Sequence, residues 1–77
     1  MEYIFEVQGD LLEVVEYMEY YRLMGYISEY DHSYWNNGWV AFMTKNISED
    51  EYEDIVDLLV VDGWKVKEVW LNQGLYK

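Results

Sequence analysis

Residues 48–63 read SEDEYEDIVDLLVVDG, and this stretch holds the clearest fold signal in the chain. Ser48 followed by Glu51 matches a capping box, in which two side chains accept hydrogen bonds from backbone N–H groups at the start of a helix. At about 100° per residue, one apolar stripe follows, formed by Tyr52, Ile55, Val56 and Leu59. Gly63 can adopt the left-handed backbone conformation that ends a helix. The sequence therefore predicts a helix over about residues 49–62.

A second helix signal lies between Asp10 and Gly25. Asp10 occupies the N-cap position, Glu13 is placed to reach back to it, and Gly25 provides the stop. These signals predict a helix over about residues 11–24. Its inward stripe is predicted to contain Leu11, Val14, Val15, Met18 and Tyr21, and its outward face Glu13, Glu16, Tyr17 and Tyr20.

The remaining segments have the character of strands. Their alternation and their aromatic and β-branched residues predict strands over residues 2–8, 26–33, 39–45 and 64–71. Asn36-Asn37-Gly38 is a turn sequence that accepts positive φ, so the second and third strands form an antiparallel hairpin. The turn can use two or three residues, which leaves open whether Trp35 and Trp39 are exposed anchors or a packed cross-strand pair. The alternation of the last strand slips near Glu68, which indicates a bulge.

The predicted order of elements is β, α, β, β, α, β. This is the order of an α+β, ferredoxin-like domain, with a four-stranded antiparallel sheet and two helices on one face. A length of 77 residues leaves room for a single domain, residues 1–77. We expect residues 72–77 to form a short tail that frays or adds to a sheet edge.

The composition restricts the class of protein. The chain has 16 acidic and 5 basic side chains, a net charge of −11, and no cysteine. Without cysteine there is no disulfide scaffold, no thiolate metal site and no cysteine nucleophile, and a cytoplasmic location is favoured. The N-terminus lacks the pattern of a signal peptide, so we expect no membrane involvement. The acidic balance repels nucleic acid phosphates and favours a basic partner surface.

The sequence offers little for catalysis. His32 is the single histidine, and the hydroxyl nucleophiles are few. The chain has no phosphate-binding glycine loop, no metal-ligand spacing and no RNA-recognition signature. We therefore expect no enzyme, no catalytic residue, no cofactor, no metal ion and no direct nucleic-acid binding. A further alternative is a small ligand-binding or catalytic domain with an apolar pocket near His32.

The arrangement of acidic residues is the informative feature. Five of them occupy one arc of the second predicted helix, with no lysine or arginine at an i+3 or i+4 position: Glu49, Asp50, Glu53, Asp54 and Asp57. Such a row is either a solvated face that keeps the protein soluble or a contact surface for a basic partner. Carboxylates and aromatic rings elsewhere complete the predicted contact set: Glu13, Glu16, Tyr17, Tyr20, Glu29, Tyr30, Asp31 and Trp35.

In charge, size and predicted topology, the chain resembles the small acidic inhibitors that phages make against host defence enzymes. These include the DNA-mimicking anti-restriction and anti-CRISPR proteins, several of which are compact α+β domains. The resemblance implies a non-catalytic inhibitor that acts in the host cytoplasm, where it occupies the basic nucleic-acid-binding surface of a defence enzyme or CRISPR effector. The alternative is a small regulatory module of the same fold that binds other proteins or forms a homodimer.

Overall fold

The computed structural model describes residues 2–35 and 37–69. In that part of the chain, six elements follow one another: β1 (Ile4–Gln8), α1 (Leu11–Leu23), β2 (Tyr30–Trp35), β3 (Trp39–Thr44), α2 (Glu49–Val61) and β4 (Val66–Val69). The four strands form one sheet in the order β2-β3-β1-β4, and all three neighbouring pairs are antiparallel. The predicted α+β architecture, with a four-stranded antiparallel sheet and two helices, is confirmed.

Both helices cover the same face of the sheet. Phe5 is the cross-strand partner of Phe42, and Val7 is the partner of Val40, so these four side chains point to one side. Their partners in the core come from both helices, with Val14, Met18 and Tyr21 from α1 and Tyr52, Ile55 and Leu59 from α2. The other face of the sheet, which we call the open sheet face, presents Ile4, Glu6, Asp31, Ser33, Trp39, Ala41, Met43, Lys67 and Val69.

The start of α2 confirms half of the predicted capping box. The Ser48 side chain accepts a hydrogen bond from the Glu51 backbone N–H at 3.1 Å. The described hydrogen bonds include none from the Ser48 backbone N–H to Glu51, so the reciprocal half is wrong; the Glu51 carboxylate accepts instead from the Ser28 hydroxyl at 2.6 Å. Glu51 therefore ties α2 to the segment before β2 instead of closing its own cap. The helix ends at Val61, one residue earlier than predicted.

The start of α1 is held by its backbone. Asp10 is the N-cap residue with an extended conformation, but its side chain makes no capping hydrogen bond, so the predicted role of its carboxylate is wrong. The Val14 backbone N–H donates to the Asp10 carbonyl at 2.9 Å. The helix ends at Leu23, and burial of Val14, Met18 and Tyr21 confirms the centre of the predicted inward stripe.

The strand predictions were right in number and partly wrong in position. β1 begins at Ile4 rather than residue 2, and β3 ends at Thr44 rather than residue 45. β2 begins at Tyr30 rather than residue 26, because Gly25 has φ 81° and the Tyr26 N–H donates to the Tyr21 carbonyl, which closes the end of α1.

The hairpin settles one alternative that the sequence left open, and the last strand corrects one prediction. Trp35 is the cross-strand partner of Trp39, so the connection uses three residues, of which Asn36 lies outside the described residues. β4 pairs with β1 without interruption from Val66 to Val69, so the bulge predicted near Glu68 is wrong for the described pairs. Residues 70 and 71 of the predicted strand and the predicted tail, residues 72–77, lie outside the described residues.

Gly9 joins β1 to α1 at a close approach. A Cβ added there would lie 2.7 Å from Cγ2 of Val14 and 3.1 Å from Cζ3 of Trp64, at a φ of 153°. We expect Gly9→Ala to lower the free energy of unfolding by about 2–4 kcal/mol, because overpacking adds to backbone strain. Gly25→Ala is the matched control, with φ 81° and open space around its added Cβ, and should cost about 1 kcal/mol. Urea denaturation measures both, and equal losses would contradict the close approach.

Candidate functional site

The outer arc of α2 carries a row of exposed carboxylates. Its members are Glu49, Asp50, Glu53, Asp54 and Asp57, and all five are exposed to solvent. They share one side because the opposite stripe, Tyr52, Ile55 and Leu59, is buried against the sheet. The structure thus brings together the five residues of the predicted acidic row. We call this row the α2 stripe.

The outer arc of α1 adds acidic, aromatic and aliphatic groups. Glu13 and Glu16 are exposed, as predicted, and Tyr20 is 52% exposed. Leu12 and Leu23 fall on the same arc and are about three quarters exposed, at 74% and 75%. Together, α1 and α2 contain nine carboxylates and one arginine, a net charge of −8. We call the outer arcs of α1 and α2 the acidic helix face.

Among the described residues, no ion pair involves a carboxylate of the α2 stripe. The three ion pairs in the described ranges are Glu19 with Arg22, Asp31 with Lys45 and Glu6 with Lys67, at 2.9, 3.0 and 3.6 Å. Lysine is absent from both helices, and the one arginine is already paired. Five carboxylates at i, i+3 and i+4 spacing therefore repel one another across solvent.

Glu19 on α1 is a paired carboxylate and so contrasts with the carboxylates of the α2 stripe. It accepts hydrogen bonds from the Arg22 guanidinium, at 2.9 Å for the shortest, and from the Tyr30 hydroxyl at 2.6 Å. The bonds from Arg22 and then from Tyr30 lower the pKa of Glu19 to about 2. Its contribution to stability is therefore present above the ordinary glutamate pKa and is lost as the pH falls towards 2.

Several predicted contact residues lie away from the acidic helix face. The predicted outward position of Tyr17 is wrong, because its ring packs on Trp64 and Tyr21, with centroids 5.3 and 5.2 Å away. Tyr30 is partly buried, and its ring packs edge-on against that of Phe42, with the ring centroids 5.5 Å apart. Asp31 is on the open sheet face and is bound to Lys45.

Two other predicted residues add little to the acidic helix face. Glu29 is exposed in the segment before β2, outside both helices. Trp35 lies on β2, and its side chain is outside the described part of the structure. The carboxylates predicted from helical period are thus brought together, whereas the residues predicted from the strand region are not.

Three tyrosines, Tyr21, Tyr30 and Tyr52, donate hydrogen bonds that join one element to another. The Tyr21 hydroxyl donates to the Asp62 carboxylate, which links α1 to the end of α2, and the Tyr52 hydroxyl donates to Glu68 on β4 at 3.2 Å. Burial, with help from these carboxylates, raises the pKa of both phenols, and burial raises that of Tyr30 as well. These residues are structural links, which accounts for part of the high tyrosine content.

Sequence reasoning missed an exposed apolar group beside the acidic residues. Leu23, Met24 and Tyr26 follow one another around the end of α1, and Val61 at the end of α2 is 83% exposed. The available signal was that these residues fall outside the inward stripes of both helices. Exposed apolar side chains among carboxylates give a partner surface anchors as well as charge.

The described residues offer little for chemistry. Residues 2–35 and 37–69 contain no cluster of three or more histidine or acidic side chains able to hold a metal ion. His32 is exposed on β2, and the centroid of its ring lies 6.1 Å from the ring centroid of Phe42. No helix in the described ranges is long and apolar enough to cross a membrane.

Comparison with protein-family models, with curated proteins and with solved structures gives no significant match to this chain.

Repulsion within the α2 stripe lowers the free energy of unfolding. We expect Asp54→Asn and Asp57→Asn each to raise the free energy of unfolding at low salt, by about 0.2–0.5 kcal/mol for each like-charge pair removed. High salt should shrink the gain, because it screens exposed charges. Glu19→Gln is the matched control and should have the opposite sign, because it weakens the bonds to Arg22 and Tyr30. Urea denaturation at two salt concentrations checks this, and a loss of stability in the aspartate variants would contradict it.

Proposed function

We propose that the protein is a non-catalytic, cytoplasmic inhibitor of the DNA-mimicking type, on a ferredoxin-like fold. Its acidic helix face would occupy the basic nucleic-acid-binding surface of a host defence enzyme or CRISPR effector. The observation that carries the proposal is the α2 stripe, with five exposed carboxylates and no ion pair among the described residues. A row of negative charges on a rigid helix offers basic side chains what a phosphate backbone offers them.

The cost of the stripe supports a contact role. A soluble surface is ordinarily obtained by mixing both signs of charge, with pairs at i+4 that stabilise a helix. α2 instead contains six acidic residues and no basic one, and acids near its C-terminal half gain nothing from the helix dipole. A partner with lysine and arginine side chains would relieve this repulsion on binding.

The mechanism follows from the charge pattern. Carboxylates of the acidic helix face pair with lysines and arginines that otherwise hold phosphates, while Tyr20 and Leu23 supply apolar contact area. Inhibition is stoichiometric, because no bond is made or broken. Binding weakens as salt rises, since exposed charges are screened over about 8 Å at physiological ionic strength.

The alternative function is a regulatory module that binds other proteins through the sheet. It is favoured by one observation, the partly apolar open sheet face. The two functions differ in the partner's charge. An acidic inhibitor binds a basic partner, and salt or nucleic acid releases that partner. A module that binds through the open sheet face needs no basic partner, so salt and nucleic acid should not release what it binds.

The test is capture of the target with a charge-matched control. The wild-type protein and the variant Glu53→Gln, Asp54→Asn, Asp57→Asn are immobilised, and bacterial lysate is passed over each. We expect the wild type to retain a nucleic-acid-binding enzyme that is released by salt or by duplex DNA. The triple variant should retain at least tenfold less, because three charge-assisted contacts are lost.

The control variant carries Glu2→Gln, Glu29→Gln and Asp31→Asn, which change the net charge equally but lie outside the helices. It should bind nearly as well as the wild type, and it should inhibit the purified target at a ratio near one to one. Equal loss in both variants would mean that net charge alone is responsible. Undiminished binding by the α2 variant would overturn the proposed contact surface.

A further inference from the structure

The open sheet face contains an apolar groove. Its volume is about 360 Å³, and its floor is formed by Ile4, Ala41, Met43 and Val69. The strand register places these residues in two adjacent rows. One row runs Asp31, Met43, Ile4, Val69 and the other Ser33, Ala41, Glu6, Lys67. Because both helices pack on the opposite side, neither α1 nor α2 covers the groove.

The charges on this face balance. Lys45 forms an ion pair with Asp31 at one end of the rows. Lys67 forms an ion pair with Glu6, and its Nζ also lies over the Trp39 ring, 4.2 Å from the ring centroid. The Glu6 carboxylate is nearly buried, with the residue 9% exposed. The chain's charge is thus segregated, since the helices carry −8 while the pairs on the open sheet face are neutral.

We propose that the open sheet face binds a second copy of this chain, sheet against sheet, in a twofold dimer. A protein with a net charge of −11 repels its own copies on every acidic surface, so self-association requires a surface that is neutral and apolar. The open sheet face has both properties. In a twofold dimer the same surface is used on both copies, so two neutral, partly apolar faces cover each other.

The charge pattern also argues against a basic partner in the groove. Both carboxylates that line it, Glu6 and Asp31, already have a lysine within 4 Å, so neither requires a positive group from outside. Met43 and Val69 are partly exposed at the groove and gain most from an apolar cover. A second copy supplies that cover and keeps each lysine near a carboxylate.

The dimer would have a consequence for binding. Because the sheets face each other, both acidic helix faces point outwards on opposite sides of the assembly. One dimer would then present two equivalent binding surfaces and engage two copies of a partner, or a partner with two basic grooves. The proposal itself does not depend on the proposed function, because it concerns the free protein.

The test is the molar mass of the free protein, measured by sedimentation equilibrium from micromolar to millimolar concentration. We expect the mass to rise from 9.4 kDa to twice that value. Met43→Glu should remain monomeric over this range, because it places a charge in the groove. Leu23→Glu adds the same charge on the exposed side of α1 and should dimerise like the wild type. Circular dichroism confirms that each variant is folded, and Val69→Glu replaces Met43→Glu if the latter unfolds.

Three outcomes would overturn the proposal. The first is a wild-type protein that stays at 9.4 kDa at millimolar concentration, including one whose groove binds a different molecule. The second is a dimer that survives a folded groove variant. The third is a dimer that is lost in Leu23→Glu as well as in the groove variant, which would mean that the added charge alone prevents association.

Discussion

The fold depends on one packing constraint: every large apolar side chain of the core lies between one face of the sheet and the inward stripes of two helices. The rings of Phe5 on β1 and Phe42 on β3 stack on each other. The ring of Tyr52 on α2 stacks on that of Tyr3, with the ring centroids 4.2 Å apart. Since the sheet side of each helix is fully used for packing, the outward side is free of structural demands. This is why carboxylates can accumulate there without disturbing the core.

The same constraint separates the molecule into two chemically different sides. The helix side carries charge that it does not neutralise, and the sheet side carries lysines that pair with carboxylates. A protein selected only for solubility would gain stability by exchanging acids of α2 for lysines. Retaining like charges at a cost in stability is more typical of a surface that has a binding role. The charged side and the apolar side therefore suit different partners.

The parts of the fold that depend on local chemistry could be predicted. The cap at Ser48 and the apolar residues Tyr52, Ile55 and Leu59 predict α2. The same helical period predicts that the carboxylates of the α2 stripe share the opposite side. Errors arose where one particular hydrogen bond or tertiary contact decides the outcome. The start of β2 was misplaced because a backbone hydrogen bond from Tyr26 to Tyr21 extends the turn after Gly25. Tyr17 was placed outside because helical period cannot show that Trp64 packs against it. The groove depends on strand register, which alternation alone does not specify.

The proposed function requires the acidic helix face to contact a basic partner. The most direct test is the binding footprint, measured from amide chemical-shift changes when the isotope-labelled protein is titrated with the captured partner. We expect the largest changes along α2, from Glu49 to Asp57, and at Glu13, Glu16 and Tyr20 on α1. Changes confined to β2 and the open sheet face, with α2 unaffected, would contradict it and would identify the acidic row as a solvated surface.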